Sequence, residues 1–274
     1  MRVIANTDAH EGPVYVAAED AVYFTSVPNG VTAIKRIDLA SGRVDLIVAD
    51  ANGANGMTLG GDGRLLVCEQ GSFETPARIA AFDPASGERT TLVDNWHGRP
   101  LNSPNDVVQR SDGSVWFTDP SYGHLQGFRP PPQAGDVVYR YDPGTEALSV
   151  VADRFDKPNG LAFSPDESAV YVTDNGAPHH LKAYDVIEGH RLARERVVAE
   201  FEPEHPDGVV VDVEGRIYAS CPAGVRVLAP TGEELDLIHL PGAVNFTFGG
   251  PDRNVLFITT DAAVYAAVLD TKGA

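Results

Sequence analysis

The sequence predicts an all-β fold, a six-bladed β-propeller of four-stranded antiparallel blades, and three observations carry that prediction. A phrase recurs along the chain: a polar residue, a small or acidic one, an apolar run, and a turn bearing an acidic residue seven positions after the start. It reads Asn55-Gly56 with Asp62, Asn105-Asp106 with Asp112, Asn159-Gly160 with Asp166, Asp207-Gly208 with Glu214, and Asn245-Phe246 with Asp252, with a looser copy at Glu11-Gly12. Successive heads lie 44, 50, 54, 48 and 38 residues apart, the period of a blade made of four strands. Short apolar runs punctuated by 20 Pro and 27 Gly fill the intervals, with no low-complexity segment to mark a linker.

The elements follow in order. Val14–Val16, Val22–Phe24, Ala33–Ile37 and Val44–Val48 read as the four strands of the first blade, turning at Glu19-Asp20, Asn29-Gly30 and Ser41-Gly42. Second strands recur at Leu65–Val67, Val115–Phe117, Val170–Val172, Ile217–Ala219 and Val255–Ile258, and third strands end in Asp-Pro turns at Asp83-Pro84 and Asp142-Pro143. The last repeat, Asn245 to Leu269, holds only three strands, so Arg2 to Ala5 is expected to supply the fourth and fasten the ring. Ile187 to Glu200 fits a long hairpin or a charged helix. A Pro- and Gly-rich insertion between Asp119 and Val137 reads as a lid or binding loop. Residues 1–274 are expected to form one domain.

Composition narrows the function. With 21 Lys and Arg against 39 Asp and Glu, the formal charge is −18, which disfavours nucleic acid and anionic membrane surfaces as partners and favours small molecules. Cys68 and Cys221 end apolar runs and read as buried free thiols. Met1 to His10 lacks a basic start followed by an apolar stretch, and no run is long enough to span a bilayer, so a soluble cytoplasmic protein is expected. Monomer and dimer are equally compatible with the chain.

The phrase heads carry the chemistry. In a propeller the innermost strands line the central channel, so Glu11, Asn55, Asn105, Asn159, Asp207 and Asn245 are expected to face one mouth. Asn-Gly is also an ordinary turn signal, and Asn52-Gly53 reads as one. Six oxygen-bearing groups without a cation repel one another unless a metal ion sits among them. The oxygen-rich, thiolate-free set suits Ca²⁺, with Mn²⁺, Fe²⁺ or Zn²⁺ as alternatives. His97, His124, His179, His180 and His205 have no ligand spacing, and His205 reads as a surface residue near Asp207. Nucleophile-elbow, zincin, Walker and dinucleotide signatures are all missing.

These phrases resemble the bacterial gluconolactonases, grouped with regucalcin and the luciferin-regenerating proteins. The resemblance rests on Leu101 to Pro120, on Lys157-Pro158-Asn159-Gly160, on Pro206-Asp207-Gly208 and on Phe248-Gly249-Gly250-Pro251-Asp252, and it spans nearly the whole chain. It implies a divalent metal held by Glu11, Asn159 and Asp207, with Asn105 beside it on substrate or water. Animal members carry an Arg where Ser103 stands, so Ser103, Tyr122 and His124 are candidates for the missing substrate contact. The implied reaction is metal-assisted opening of small lactones, most simply sugar-acid lactones, with Asp207 as general base and Glu11 able to exchange roles with it. Organophosphate-ester hydrolysis on the same site and a non-enzymatic calcium-binding scaffold are the alternatives.

Overall fold

The computed structural model describes residues 1–27 and 30–274; Asn29, half of an expected turn, lies outside them. Six four-stranded antiparallel sheets are arranged in chain order, each running from an inner to an outer strand. Inner strands are Val14–Val16, Ala54–Leu59, Val107–Gln109, Pro158–Phe163, Val209–Val211 and Phe246–Gly249. In the sixth blade the outer strand is Arg2–Asn6, which pairs with Ala263–Val268, so the expected closure is the one observed.

The core is divided into layers between blades. Leu66, Ile79, Leu101 and Phe117 fill the gap between blades two and three, and Tyr171, Leu181, Ile217 and Leu228 the gap between blades four and five. Alternation along the strands produces this arrangement, because each sheet must bury both faces against its neighbours. The seam between blades six and one is filled by smaller groups around Phe24, Ile37 and Val264 and around Val22 and Phe257.

Three features differ from the sequence reading or extend it. Ile187 to Glu200 is hairpin: strands His180–Ile187 and Arg191–Glu200 pair along their length. Asn52-Gly53 joins the first blade to the second instead of closing a hairpin, with both residues at positive φ. The last residues fold back beneath blade five, where Val213 donates to the Lys272 carbonyl and Ala274 to that of Val211.

Glycines in the repeated phrase have a packing role. A Cβ on Gly56 would come within 2.4 Å of the Asn105 carbonyl oxygen, and one on Gly160 within 2.6 Å of that of Asp207. The inner strands of neighbouring blades meet there, and only glycine lets them approach.

Candidate functional site

Five of the six heads are held by hydroxyls from second strands, Asn245 by Thr259 at 3.0 Å, while the Asn105 carbonyl accepts from the Gly56 amide at 2.8 Å. Thr25 Oγ1 donates to the carbonyls of Glu11 (2.9 Å) and of Asn55 in the next blade (3.1 Å). Thr118 reaches the Asn159 carbonyl at 2.7 Å and Thr173 that of Asp207 at 2.6 Å. Such a bond contributes about 1 kcal/mol net, but its larger effect is to lock successive heads around one axis.

A second device holds the segments that deliver the heads. Asp119 accepts from the amides of Asn102 and Ser103, both at 2.9 Å. Asp174 does the same for Asp156 and Lys157 at 3.1 and 2.8 Å. Both carboxylates are buried, and burial raises Asp119 to about 7 despite its two amide partners. Their sequence signal is the recurring Thr-Asp pair at the end of the second strand, which the head phrase overshadowed.

Five of the six heads, Glu11, Asn55, Asn105, Asn159 and Asp207, line one cavity of about 990 Å³ at the channel mouth. Asn245, expected among them, lines a separate cavity of about 730 Å³ on the opposite side. Its Oδ1 accepts from the Phe246 amide at 2.7 Å, which turns its Nδ2 toward Glu11 Oε2, also at 2.7 Å. Asn245 therefore orients a carboxylate instead of facing the cavity.

Charge is concentrated where water is scarce. Glu11 is raised to about 8 by burial, opposed by the Asn245 bond and reinforced by Asp106. Asp207 is also raised to about 8 by burial, then by the Glu11 charge, while His10 and Asn159 pull it down. Asp106 is raised to about 7 by burial, although the Val107 and Leu161 amides bond to it at 2.9 and 3.3 Å. Among the described residues, the enclosed oxygens Asn55 Oδ1, Asn105 Oδ1 and Asp207 Oδ1 have no hydrogen-bond partner. No three His, Cys, Asp or Glu side chains gather to hold a metal among those residues. A cation here would meet two carboxylates completed by amide oxygens, and the orphaned oxygens fit such a hard ion.

The inserted loop forms a wall of this cavity. It contains a short helix, Tyr122–Leu125, and Tyr122, Gln126 and Phe128 line the cavity. Arg129 is 6% exposed and donates to the carbonyls of Leu101, Asn102, Ser72 and Thr75, bolting the loop to its neighbours. Tyr122 accepts from Asn159 Nδ2 at 3.3 Å, which orients that amide. Two expected substrate contacts are elsewhere. The Ser103 hydroxyl is consumed by the Pro120 carbonyl (2.6 Å) and the Gly123 amide (2.9 Å), and His124 is exposed outside the cavity. His10 and Arg78, which the sequence reading missed, do line it. Both cysteines are buried free thiols, as expected.

Residues 9–262 match the family described as SMP-30/Gluconolactonase/LRE-like region. The chain is 31% identical to a gluconolactonase of Zymomonas mobilis over 83% of its own length and 68% of that protein's. It is 30% identical to the lactonohydrolase oryL of Aspergillus oryzae, covering 91% of this chain and 65% of that one. The solved structure of a Xanthomonas campestris gluconolactonase superposes with a TM-score of 0.87 at 33% identity, over 97% of this chain and 88% of that chain. No helix among the described residues is long and apolar enough to cross a membrane.

Proposed function

The chain belongs to the SMP-30/gluconolactonase/LRE-like family, and from that membership together with its cavity we propose that it is a metal-dependent lactonase acting on small sugar-acid lactones. The observation that carries the reading is the convergence of Glu11, Asn105, Asn159 and Asp207 on one cavity that encloses unpartnered oxygens. Glu11, Asn159 and Asp207 would hold the divalent ion, and the oxygen donors favour Ca²⁺. When bound, such an ion supplies Lewis-acid polarisation of the carbonyl and stabilises the developing oxyanion.

The chain's own groups account for the remainder. Asp207, whose Oδ1 has no hydrogen-bond partner among the described residues, takes the proton of the attacking water as it adds to the lactone carbonyl carbon. That proton then passes to the ring oxygen as the carbon–oxygen bond breaks, giving the hydroxy acid. Asn105 Oδ1 accepts a hydrogen bond from the water or from a substrate hydroxyl and so fixes the line of attack. Tyr122 holds the Asn159 amide in one orientation, and Asn245 holds Glu11.

Acid release from a panel of aldonolactones, followed with a pH indicator with and without chelator, tests the reading. Metal-sensitive hydrolysis is expected, and Asp207→Asn should lower kcat by about 10³-fold with an unchanged circular-dichroism spectrum. Chelator-insensitive hydrolysis would remove the metal, and full activity in the variant would remove the base.

A further inference from the structure

Blade two departs from blades three and four at the end of the second strand. Where Asp119 and Asp174 clamp backbone amides, blade two has Glu69, its side chain 2% exposed and directed at other side chains. Glu69 Oε2 accepts from Arg78 Nε at 2.7 Å and Asn52 Nδ2 at 2.9 Å, and Arg89 Nη1 lies 3.5 Å from Oε1. Arg78 also donates to Thr91 at 3.0 Å. Both arginines line the cavity that holds Glu11 and Asp207, and each side chain is about one quarter exposed.

The two guanidiniums come from the third and fourth strands of the blade, whereas the carboxylates Glu11 and Asp207 stand just before the inner strands Val14–Val16 and Val209–Val211. Strands are spaced by about 4.8 Å, so the arginine backbones start about 10–14 Å outward from the inner strand and their side chains lie along the cavity's outer wall. One buried carboxylate shared by two guanidiniums leaves donors uncommitted. Arg78 donates through Nε and Nη1, and Arg89 through Nη2 to the Asp50 carbonyl at 3.5 Å, which among the described residues leaves Arg78 Nη2 and Arg89 Nε without a hydrogen bond. The other acids bordering this end are differently engaged: Asp50 Oδ1 accepts from the Asn52 amide at 3.3 Å, and Glu74 is exposed on its turn.

We propose that Arg78 and Arg89 form an anion subsite, so that the preferred lactone carries a negatively charged substituent at the end remote from its carbonyl. The inference rests on the lactonase reading for the identity of the ligand. A phosphate, sulfonate or carboxylate shares the chemistry that a pair of forked donors recognises. Glu69 is the positioning residue that aims both guanidiniums.

Calorimetry on the metal-loaded protein with ring-opened acids tests this independently of turnover. The 6-phosphate of gluconate is expected to bind at least about tenfold tighter than gluconate, the scale of one charge-assisted contact. Arg89→Gln should shrink that ratio to about threefold or less. Because Arg89 is the looser partner of Glu69, this variant should fold; Glu69→Gln with Arg78→Gln removes the tighter pair together and strands no buried charge. The ratio of kcat/KM for the phosphorylated and neutral lactones should fall in parallel. Analogues bearing a sulfonate or carboxylate identify the anion, and a preference for any of the three supports the subsite. Equal binding of charged and neutral acids, or a ratio unaltered in both variants, would overturn it. Absent hydrolysis with the binding preference intact would instead overturn the lactonase reading alone.

Discussion

The two mouths of the channel are built from the same six inner strands, yet they have opposite chemistry. On one side Glu11, Asn105, Asn159 and Asp207 face a cavity of about 990 Å³; on the other, Val107, Leu161, Val209 and Phe246 border one of about 730 Å³. The repeated phrase accounts for the difference, because its polar head enters the strand from one face and its apolar run leaves toward the other. Asp106 and Asn245 sit at the boundary, lining the apolar side while Asn245 supports a carboxylate of the polar side. Polar groups are thus crowded where they repel one another, and the opposite mouth is left as packing.

The comparison breaks most visibly at that boundary. Asn245→Ala leaves Glu11 without its 2.7 Å donor, and a lost supporting contact of this kind should weaken metal binding by about 10–100-fold, measured by calorimetric titration of Ca²⁺. An unchanged affinity would mean that Glu11 needs no orientation. Stability against pH gives an effect of intermediate size. Glu11 and Asp207 at about 8, and Asp106 and Asp119 at about 7, bind protons more tightly folded than unfolded. Their contribution is therefore fully present below the ordinary carboxylate range and is lost as pH rises through 7 to 8. The melting temperature of chelated protein should fall between about pH 5 and pH 8, and Ca²⁺ should restore more of it at the higher pH. A flat profile would show that these carboxylates ionise freely. The smallest effect is expected at the apolar mouth, where Val210→Ala removes half-buried apolar surface and should cost about 1 kcal/mol in denaturant unfolding while KM stays constant. A shift in KM would connect that mouth to the reaction.

What was legible in the sequence follows the same division. Blade number, the closing strand Arg2–Asn6 and the position of five heads could be read because each depends on a repeated local pattern. The sixth head was misread because Asn245 is directed by its own contacts with Phe246 and Glu11, which spacing does not encode. Ser103 and His124 stand apart from the cavity lining for a related reason: which side of an irregular segment faces a cavity depends on its anchors, chiefly Arg129 and Asp119, which are distant in sequence from the groups they hold. Tyr122 does line the cavity, and its hydroxyl meets Asn159. The second-strand Thr-Asp pairs were visible in the sequence but carried no weight until the amides they bind were known.

The close-approach glycines set a limit on how this protein can change. Because Gly12, Gly56, Gly160 and Gly208 stand where a methyl group would meet a neighbouring blade's backbone or, at Gly208, the Asn245 side chain at 2.6 Å or less, they fix the bore of the ring. Any larger residue there would act as a wedge, spreading every pair of facing oxygens at once. Adaptation to bulkier molecules is therefore confined to the connecting loops on the rim, which can lengthen or shorten while the bore keeps its calibre.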